Sequence, residues 1–175
     1  MAMYVRKLFI ILFLPLVACA TTPDTEPPQV VETVDLNRYA GEWYEIATFP
    51  MIFQWGCGGA KATYKIIGEN KLSVLNQCQG FFGVRDIEGV ASVVDSSTPA
   101  KLEVDFGWGR KGEYWIIDLA QDYSYAVVGN SDKSSLWILY RKPKMPEDLY
   151  NKIIEELNIK GFNLSKLKKT TKPFR

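Results

Sequence analysis

The stretch LNRYAGEWYEIATFP, residues 36–50, carries the pattern that decides the fold prediction. Its second part, from Gly41 to Phe49, is rich in aromatic and β-branched residues, which is typical of a β-strand. Gly41 has no side chain, so neighbouring groups can approach closely where the chain enters this strand. We therefore expect a first β-strand over residues 41–49, preceded by a short turn or helix.

Seven further strand-like runs follow at close spacing, separated by turn signals such as GEN, SSTPA and NSDKSS. These runs cover residues 60–67, 72–79, 84–95, 101–107, 113–119, 123–129 and 136–141. Eight runs with short hairpin connections predict an all-β fold, an eight-stranded up-and-down antiparallel β-barrel. A β-sandwich would share most of these signals.

One C-terminal α-helix is predicted in the segment MPEDLYNKIIEELNIKG, residues 145–161. Pro146 suits the first helical position, acidic residues follow it, and Gly161 can end the helix. An apolar stripe at helical spacing should pack on the outside of the barrel. The stripe consists of Leu149, Tyr150, Ile153, Ile154 and Leu157.

The N-terminus has the features of an export signal. Arg6 and Lys7 precede an uncharged apolar run over residues 8–17, about half of the ~20 residues that a membrane-spanning helix needs. The residues LVAC that end at Cys19 resemble the lipobox of bacterial lipoproteins, in which cleavage leaves an acylated cysteine as the first residue. The alternative is an ordinary signal peptide with an incidental cysteine.

These features divide the chain into three segments. We expect residues 1–18 to be a lipoprotein signal peptide, residues 19–35 a lipidated, proline-containing tether, and residues 36–175 the barrel domain. Lipidation of Cys19 would anchor the protein to a membrane. Ala20 follows this cysteine, and by resemblance to Gram-negative lipoproteins the absence of Asp there favours the periplasmic face of the outer membrane.

The composition argues against several classes of function. The chain contains no histidine, which removes Ser–His–Asp and Cys–His catalysis and the commonest metal ligand. Without Arg6 and Lys7, 19 basic residues face 20 acidic ones, and a formal net charge of −1 gives no broad attraction to nucleic acid. The sequence also lacks a glycine-rich phosphate loop. We therefore predict no catalytic residues, no metal and no cofactor.

Two cysteines remain once Cys19 is set aside, and an even pair in an exported protein favours a disulfide between Cys57 and Cys78. Their segments flank the turn GENK and predict a hairpin, in which simple pairing would place Cys78 opposite Lys61. A bridge therefore requires the glycine-rich segment around Cys57 to fold back. The alternative is two buried thiols.

Three segments, in order, resemble the signatures of the lipocalin family: LNRYAGEWYEIATFP, AQDYSYAVVG (residues 120–129) and LWILYRKP (residues 136–143). The resemblance covers residues 36–175, and within the family the chain is most similar to bacterial outer-membrane lipocalins that resemble apolipoprotein D. It implies a barrel that binds a small hydrophobic ligand.

The resemblance also implies structural roles at the closed end of the barrel. Trp43 would plug this end beside Gly41, with Arg141 lying over the indole as a cation–π lid. Asp122 and Tyr123, in the second signature, would fix the turn before the seventh strand. We assign none of these residues to ligand contact.

Alternation along the strands predicts which side chains face the interior. The predicted ligand-binding set is apolar and aromatic: Ala47, Val104, Phe106, Tyr114, Ile116, Trp137 and Leu139. Glu45 shares the parity of Trp43, so it needs a cation, a bulge in the strand or contact with water. Phe53, Trp55, Phe81 and Phe82 are expected near the loops, at the rim of the barrel mouth or beneath it.

The leading functional hypothesis is a lipid-anchored binding protein for a fatty acid, lysophospholipid or similar amphiphile. One alternative is an enzyme of the same fold that acts on a lipid, which would need a reactive thiol or a paired acid and base. The other is a structural envelope protein whose barrel is filled solidly with side chains.

Overall fold

The protein is described by a computed structural model that covers residues 26–51, 56–107 and 109–174 of the chain. Each of the strands β2 to β8 pairs antiparallel with its neighbours in sequence, and β1 pairs with both β8 and β2, which closes the barrel. The strands are β1 (Gly41–Thr48), β2 (Cys57–Gly68), β3 (Lys71–Gly80), β4 (Gly83–Val93), β5 (Lys101–Asp105), β6 (Lys111–Leu119), β7 (Tyr125–Gly129) and β8 (Leu136–Tyr140). The predicted eight-stranded barrel is confirmed.

One end of the barrel is closed by the short helix α1 (Leu36–Tyr39), which directly precedes β1. Asp35 caps this helix, because its side chain accepts a hydrogen bond from the backbone N–H of Asn37. We call this end, where β8 finishes, the closed end. The opposite end, where β5 ends and β6 and β8 begin, is the mouth.

The folded domain begins earlier than the predicted boundary at residue 36. Val30, Val31 and Val34 pack against the interior cluster, and the backbone N–H of Val31 donates to the carbonyl of Ile116 at 3.0 Å. These valines cover apolar surface at the closed end, so this part of the predicted tether belongs to the barrel. Cys19 and the signal segment lie outside the described residues.

A second helix, α2 (Glu147–Ile159), packs on the outside of the barrel as predicted. Pro146 stands one position before the first helical residue. Ile153 and Leu157 are almost fully buried against the outward faces of the sheet. Complete burial of one such side chain contributes about 1.5–3 kcal/mol. None of the helices in the described part of the chain is long and apolar enough to cross a bilayer.

The C-terminal tail adds a ninth strand that was not predicted. After a 3₁₀ turn (Leu164–Lys166), β9 (Lys168–Lys169) pairs with the end of β1, where β1 and β2 no longer pair with each other. The tail continues along the start of β2, where the N–H of Lys172 donates to the carbonyl of Gly58 at 3.3 Å. It therefore fills the gap between the first two strands.

The predicted disulfide between Cys57 and Cys78 is present, with the two Cα atoms 5.5 Å apart. A bulge between Ile66 and Gly68 shifts the register of β2 against β3 by one residue, so Cys78 lies opposite Ala60 instead of Lys61. A second bulge, between Cys57 and Gly59, places Cys57 opposite Gly80, within reach of Cys78 without a separate fold-back of the chain. A disulfide that closes a loop of this length contributes about 3 kcal/mol to stability.

Candidate functional site

Six of the seven side chains predicted to face inward lie in the interior cluster of the barrel. Val104, Ile116 and Leu139 are buried, whereas Phe106, Tyr114 and Trp137 pack against them and remain partly accessible. These three aromatic residues lie toward the mouth, near the end of β5 and the starts of β6 and β8. These aromatic residues therefore form the accessible part of the interior cluster, above a tightly packed base.

Ala47 faces outward, so the prediction that it lines the interior is wrong. A bulge between Glu45 and Ala47 changes the alternation of β1, and Ala47 pairs with Ile138 in the outer cluster beneath α2. Glu45, before the bulge, has a polar partner, because its carboxylate accepts a hydrogen bond from the Thr170 hydroxyl at 3.2 Å. Alternation counted from Trp43 fails because a bulge adds one residue to the strand.

The closed end is held by Arg141, whose guanidinium lies 3.7 Å from the centroid of the Trp43 ring. All five of its N–H groups donate to backbone carbonyl oxygens, at distances of 2.7–3.2 Å. The acceptors are the carbonyls of Arg38, Tyr39, Ala40, Glu42 and Tyr123. This one side chain therefore joins α1, the start of β1 and the turn before β7.

Two neighbouring features make room for that guanidinium and hold its surroundings. Gly41 has φ of +102°, and a Cβ there would lie 3.1 Å from an Arg141 nitrogen, so any other residue would be strained and crowded. In the turn before β7, the Asp122 carboxylate accepts from the N–H of Ser124 at 3.0 Å. The Tyr123 hydroxyl accepts from the N–H of Asp35 at 2.9 Å, which ties this turn to α1.

Three tyrosines meet in the interior, directly above the Trp43 plug. Tyr39 lies 5.0 Å from the indole between ring centroids, and its hydroxyl is 2.6 Å from that of Tyr114. Tyr64 donates to the same Tyr114 hydroxyl at 2.9 Å. Of the three, only Tyr114 was predicted from the sequence to face inward. Tyr64 could have been found from alternation along β2, whereas Tyr39 reaches the cluster from α1, which no strand pattern indicates.

The environment of these tyrosines strongly disfavours charge. Burial raises the pKa of Tyr64 to about 12, and it raises the pKa of Tyr39 and Tyr114 well above the ordinary value of 10. The phenols are therefore neutral hydrogen-bonding groups at physiological pH.

The free energy of unfolding should consequently fall at alkaline pH, because these tyrosines ionise at a lower pH in the unfolded chain than in the folded protein. A raised pKa means that the contribution of Tyr64 is fully present below pH 10 and is lost as the pH rises from 10 toward 12. The expected loss is about 3 kcal/mol from this residue. Urea unfolding between pH 8 and pH 12 measures this loss. In the Tyr64→Phe variant, the free energy of unfolding should decline less steeply with pH. Equal slopes for the two proteins would contradict the assignment.

The mouth is flanked by exposed aromatic side chains. Phe81 and Phe82, at the β3–β4 hairpin tip, are 93% and 99% exposed and contact each other edge to face. Arg85 lies beside the disulfide, with Nη2 3.6 Å from the Cys78 sulfur. An open groove of about 800 Å³ runs between this tip and the C-terminal tail, outside the barrel axis. Phe53 and Trp55 lie outside the described residues.

The described residues supply apolar surface and hydrogen-bonding groups in the interior. No cluster of three or more Cys, Asp or Glu side chains among them is arranged to hold a metal ion. The disulfide joins Cys57 to Cys78, so neither offers a thiolate nucleophile. The interior combines apolar surface with three phenolic hydroxyls and the Trp137 indole.

Comparison with known families supports this description. The profile of the family described as "Lipocalin-like domain" matches residues 34–172. The chain is 34% identical over 167 residues to the outer membrane lipoprotein Blc of Escherichia coli K12, covering 87% of this chain and 93% of that protein. It is 36% identical over 154 residues to apolipoprotein D of Macaca fascicularis, with 82% and 79% of the two chains covered.

A solved structure shows the same fold at lower sequence similarity. Insecticyanin from the tobacco hornworm Manduca sexta superposes with a TM-score of 0.66 at 22% identity, and the match covers 85% of this chain and 84% of insecticyanin. At this identity the likeness shows the barrel architecture alone.

Proposed function

This chain belongs to the lipocalin family, and from that membership we propose that it binds a fatty acid, lysophospholipid or similar amphiphile inside the barrel. The supporting observation is the contrast between the mouth and the closed end of the barrel. Phe106, Tyr114 and Trp137 remain accessible toward the mouth, whereas Trp43 and Arg141 seal the base. An acyl chain would run down the barrel axis with its charged head in water at the mouth.

The energetics of this arrangement are favourable. About ten buried methylenes would contribute roughly 8 kcal/mol before the costs of association and ordering, which corresponds to micromolar or somewhat tighter binding. The partly accessible aromatic residues argue against a solidly filled barrel. The bridged cysteines argue against thiol chemistry on a lipid. Binding is therefore the function that the geometry supports best.

Titration with fatty acids and lysolipids of several chain lengths tests this proposal. An acyl chain in contact with the Trp137 indole should change its fluorescence, and the affinity should rise with chain length until the barrel is full. Trp137→Phe identifies the signal from this residue against the other tryptophans. If no chain length changes either the fluorescence or the melting temperature, the binding proposal fails and the solid-barrel alternative replaces it.

We further propose that acylation of Cys19 tethers the protein to the periplasmic face of the outer membrane. The support is the lipobox-like LVAC sequence together with the similarity to Blc, which is named an outer membrane lipoprotein. Eight residues lie between Cys19 and Pro28, the first buried residue of the described chain, so nine residue steps join them. An extended segment of that length reaches about 30 Å, so the barrel would stay close to the bilayer.

Replacement of Cys19 by alanine should move the protein from the membrane fraction to the soluble fraction or arrest its processing. The physical reason is the loss of acyl chains, each of which contributes about 0.8 kcal/mol per buried methylene. Cell fractionation with mass measurement of the mature N-terminus checks this. A Cys19→Ala protein that is fully processed and still bound to the membrane would disprove the anchor.

A further inference from the structure

The three tyrosine hydroxyls in the interior carry three hydrogens but form only two hydrogen bonds among the described residues. Tyr64 donates to Tyr114, and Tyr114 and Tyr39 share the second hydrogen bond. Each hydroxyl carries one hydrogen, so two bonds among three groups leave one O–H without an acceptor among the described residues. A buried donor of this kind costs about 1–3 kcal/mol when it has no partner.

The unused hydrogen can lie on the hydroxyl of Tyr114, because either tyrosine of the Tyr39–Tyr114 pair can be the donor. Tyr39 and Tyr64 are only 1% and 3% exposed, whereas Tyr114 is partly accessible and lies on the same inner surface as Trp137. If Tyr39 donates to Tyr114, the central hydroxyl accepts two hydrogen bonds and directs its own hydrogen outward from the cluster. A ligand that fills the barrel would then meet this hydrogen at its buried end.

The surroundings select an uncharged acceptor. The guanidinium of Arg141 lies beneath the Trp43 indole, and its five N–H groups all donate to backbone carbonyls, so they are not available to a carboxylate at the cluster. Burial also raises the pKa of all three phenols, so the site disfavours negative charge. A neutral oxygen can accept the hydrogen bond without that desolvation cost.

We propose that the Tyr39–Tyr64–Tyr114 cluster is a hydrogen-bond donor site for an uncharged carbonyl oxygen at the buried end of the ligand. Ketones, aldehydes and esters with a long apolar chain are the ligand class that satisfies it. This inference rests on the proposed binding function and adds a second anchoring point. An ionised fatty acid keeps its head at the mouth, whereas a neutral carbonyl lipid enters with its oxygen first.

Three ligands of equal carbon number test the inference: a 2-alkanone, the corresponding alkane and the ionised fatty acid. Each competes with a fluorescent acyl probe for the purified protein at pH 7. The ketone should bind about 3- to 10-fold more tightly than the alkane, the effect of one net hydrogen bond. Tyr114→Phe should abolish this advantage. Tyr125→Phe, which removes a hydroxyl bonded to Asp118 elsewhere in the protein, should preserve it.

The infrared carbonyl stretch of the bound ketone provides a direct readout in the unaltered protein. A hydrogen bond from Tyr114 should lower its frequency relative to the same ketone in hexane. This measurement keeps the inference testable if Tyr114→Phe does not fold. An unshifted band means that the cluster holds no ligand carbonyl and overturns the proposal.

The remaining outcomes separate this inference from the proposed function. Equal affinity for ketone and alkane would reject the donor site while leaving apolar binding established. Failure of all three ligands to displace the probe would reject the binding function itself. If Tyr114→Phe weakens ketone and alkane equally, the residue only packs. If it weakens the fatty acid most, a charged head lies at the cluster, and the neutral-carbonyl assignment is wrong.

Discussion

Replacement of Arg141 by alanine is expected to lower the free energy of unfolding by about 3 kcal/mol. The variant removes five donated hydrogen bonds and leaves five backbone carbonyls at the closed end without this partner. It also removes the cation from the face of the Trp43 ring. For a domain of this size the melting temperature should fall by about 10 °C, measured by circular dichroism.

Arg141→Lys is the matched control, because it keeps the positive charge but cannot reproduce the planar fork of five donors. Its stability should lie between those of the alanine variant and the unaltered protein. A lysine variant as stable as the unaltered protein would show that charge alone matters. Ligand affinity should change little in either variant, since Trp43 separates Arg141 from the interior. A folded Arg141→Ala protein that no longer binds ligand would contradict the structural role.

Gly112→Trp should abolish ligand binding while leaving the barrel folded. Gly112 pairs with Val104, whose side chain faces inward, and a Cβ at this position meets no atom within 4 Å. A tryptophan there would enter the mouth and exclude about five methylenes of an acyl chain. The loss would be about 4 kcal/mol, which is about 1,000-fold in Kd. Competition with a fluorescent fatty acid measures this change.

Glu103→Trp provides the control for the size of the new side chain. Glu103 neighbours Val104 on β5, pairs with Glu113 and forms an exposed ion pair with Lys111 at 3.2 Å, so it faces away from the interior. Loss of this ion pair costs about 0–1 kcal/mol, and ligand affinity should not change. If both tryptophan variants bind normally, the ligand does not enter through the mouth.

The residues predicted to face the interior show where alternation along a strand predicts side-chain direction correctly and where it does not. The interior positions of Val104, Ile116 and Leu139 could be predicted, because residues two apart in a regular strand share one face. Ala47 could not, since the bulge in β1 is a feature of pairing with β8 that its own sequence does not reveal. One extra residue in the strand moves a side chain from the interior to the outer cluster.

Local sequence motifs predicted the roles of the residues at the closed end of the barrel. The hydrogen bonds that these residues form depend on segments that are far apart in the sequence. The contact between Trp43 and Arg141 was predicted from the resemblance, but the five carbonyl acceptors come from α1, β1 and the turn before β7. The proline-rich composition before residue 36 indicated a tether, although Val31 bonds to a strand more than 80 residues later. Burial of those valines depends on a surface that exists only after the barrel closes.

The sequence alone determined the number and order of the eight barrel strands, the outer helix, the cysteine pair and the family. Each of these depends on periodicity, turn residues or short motifs that are local in the chain. Only the tertiary structure decided that Tyr39, Tyr64 and Tyr114 share their hydroxyls, because they come from a helix and two strands that meet when the barrel closes. Hydrogen bonds between segments so far apart follow from three-dimensional geometry, which local sequence patterns do not encode.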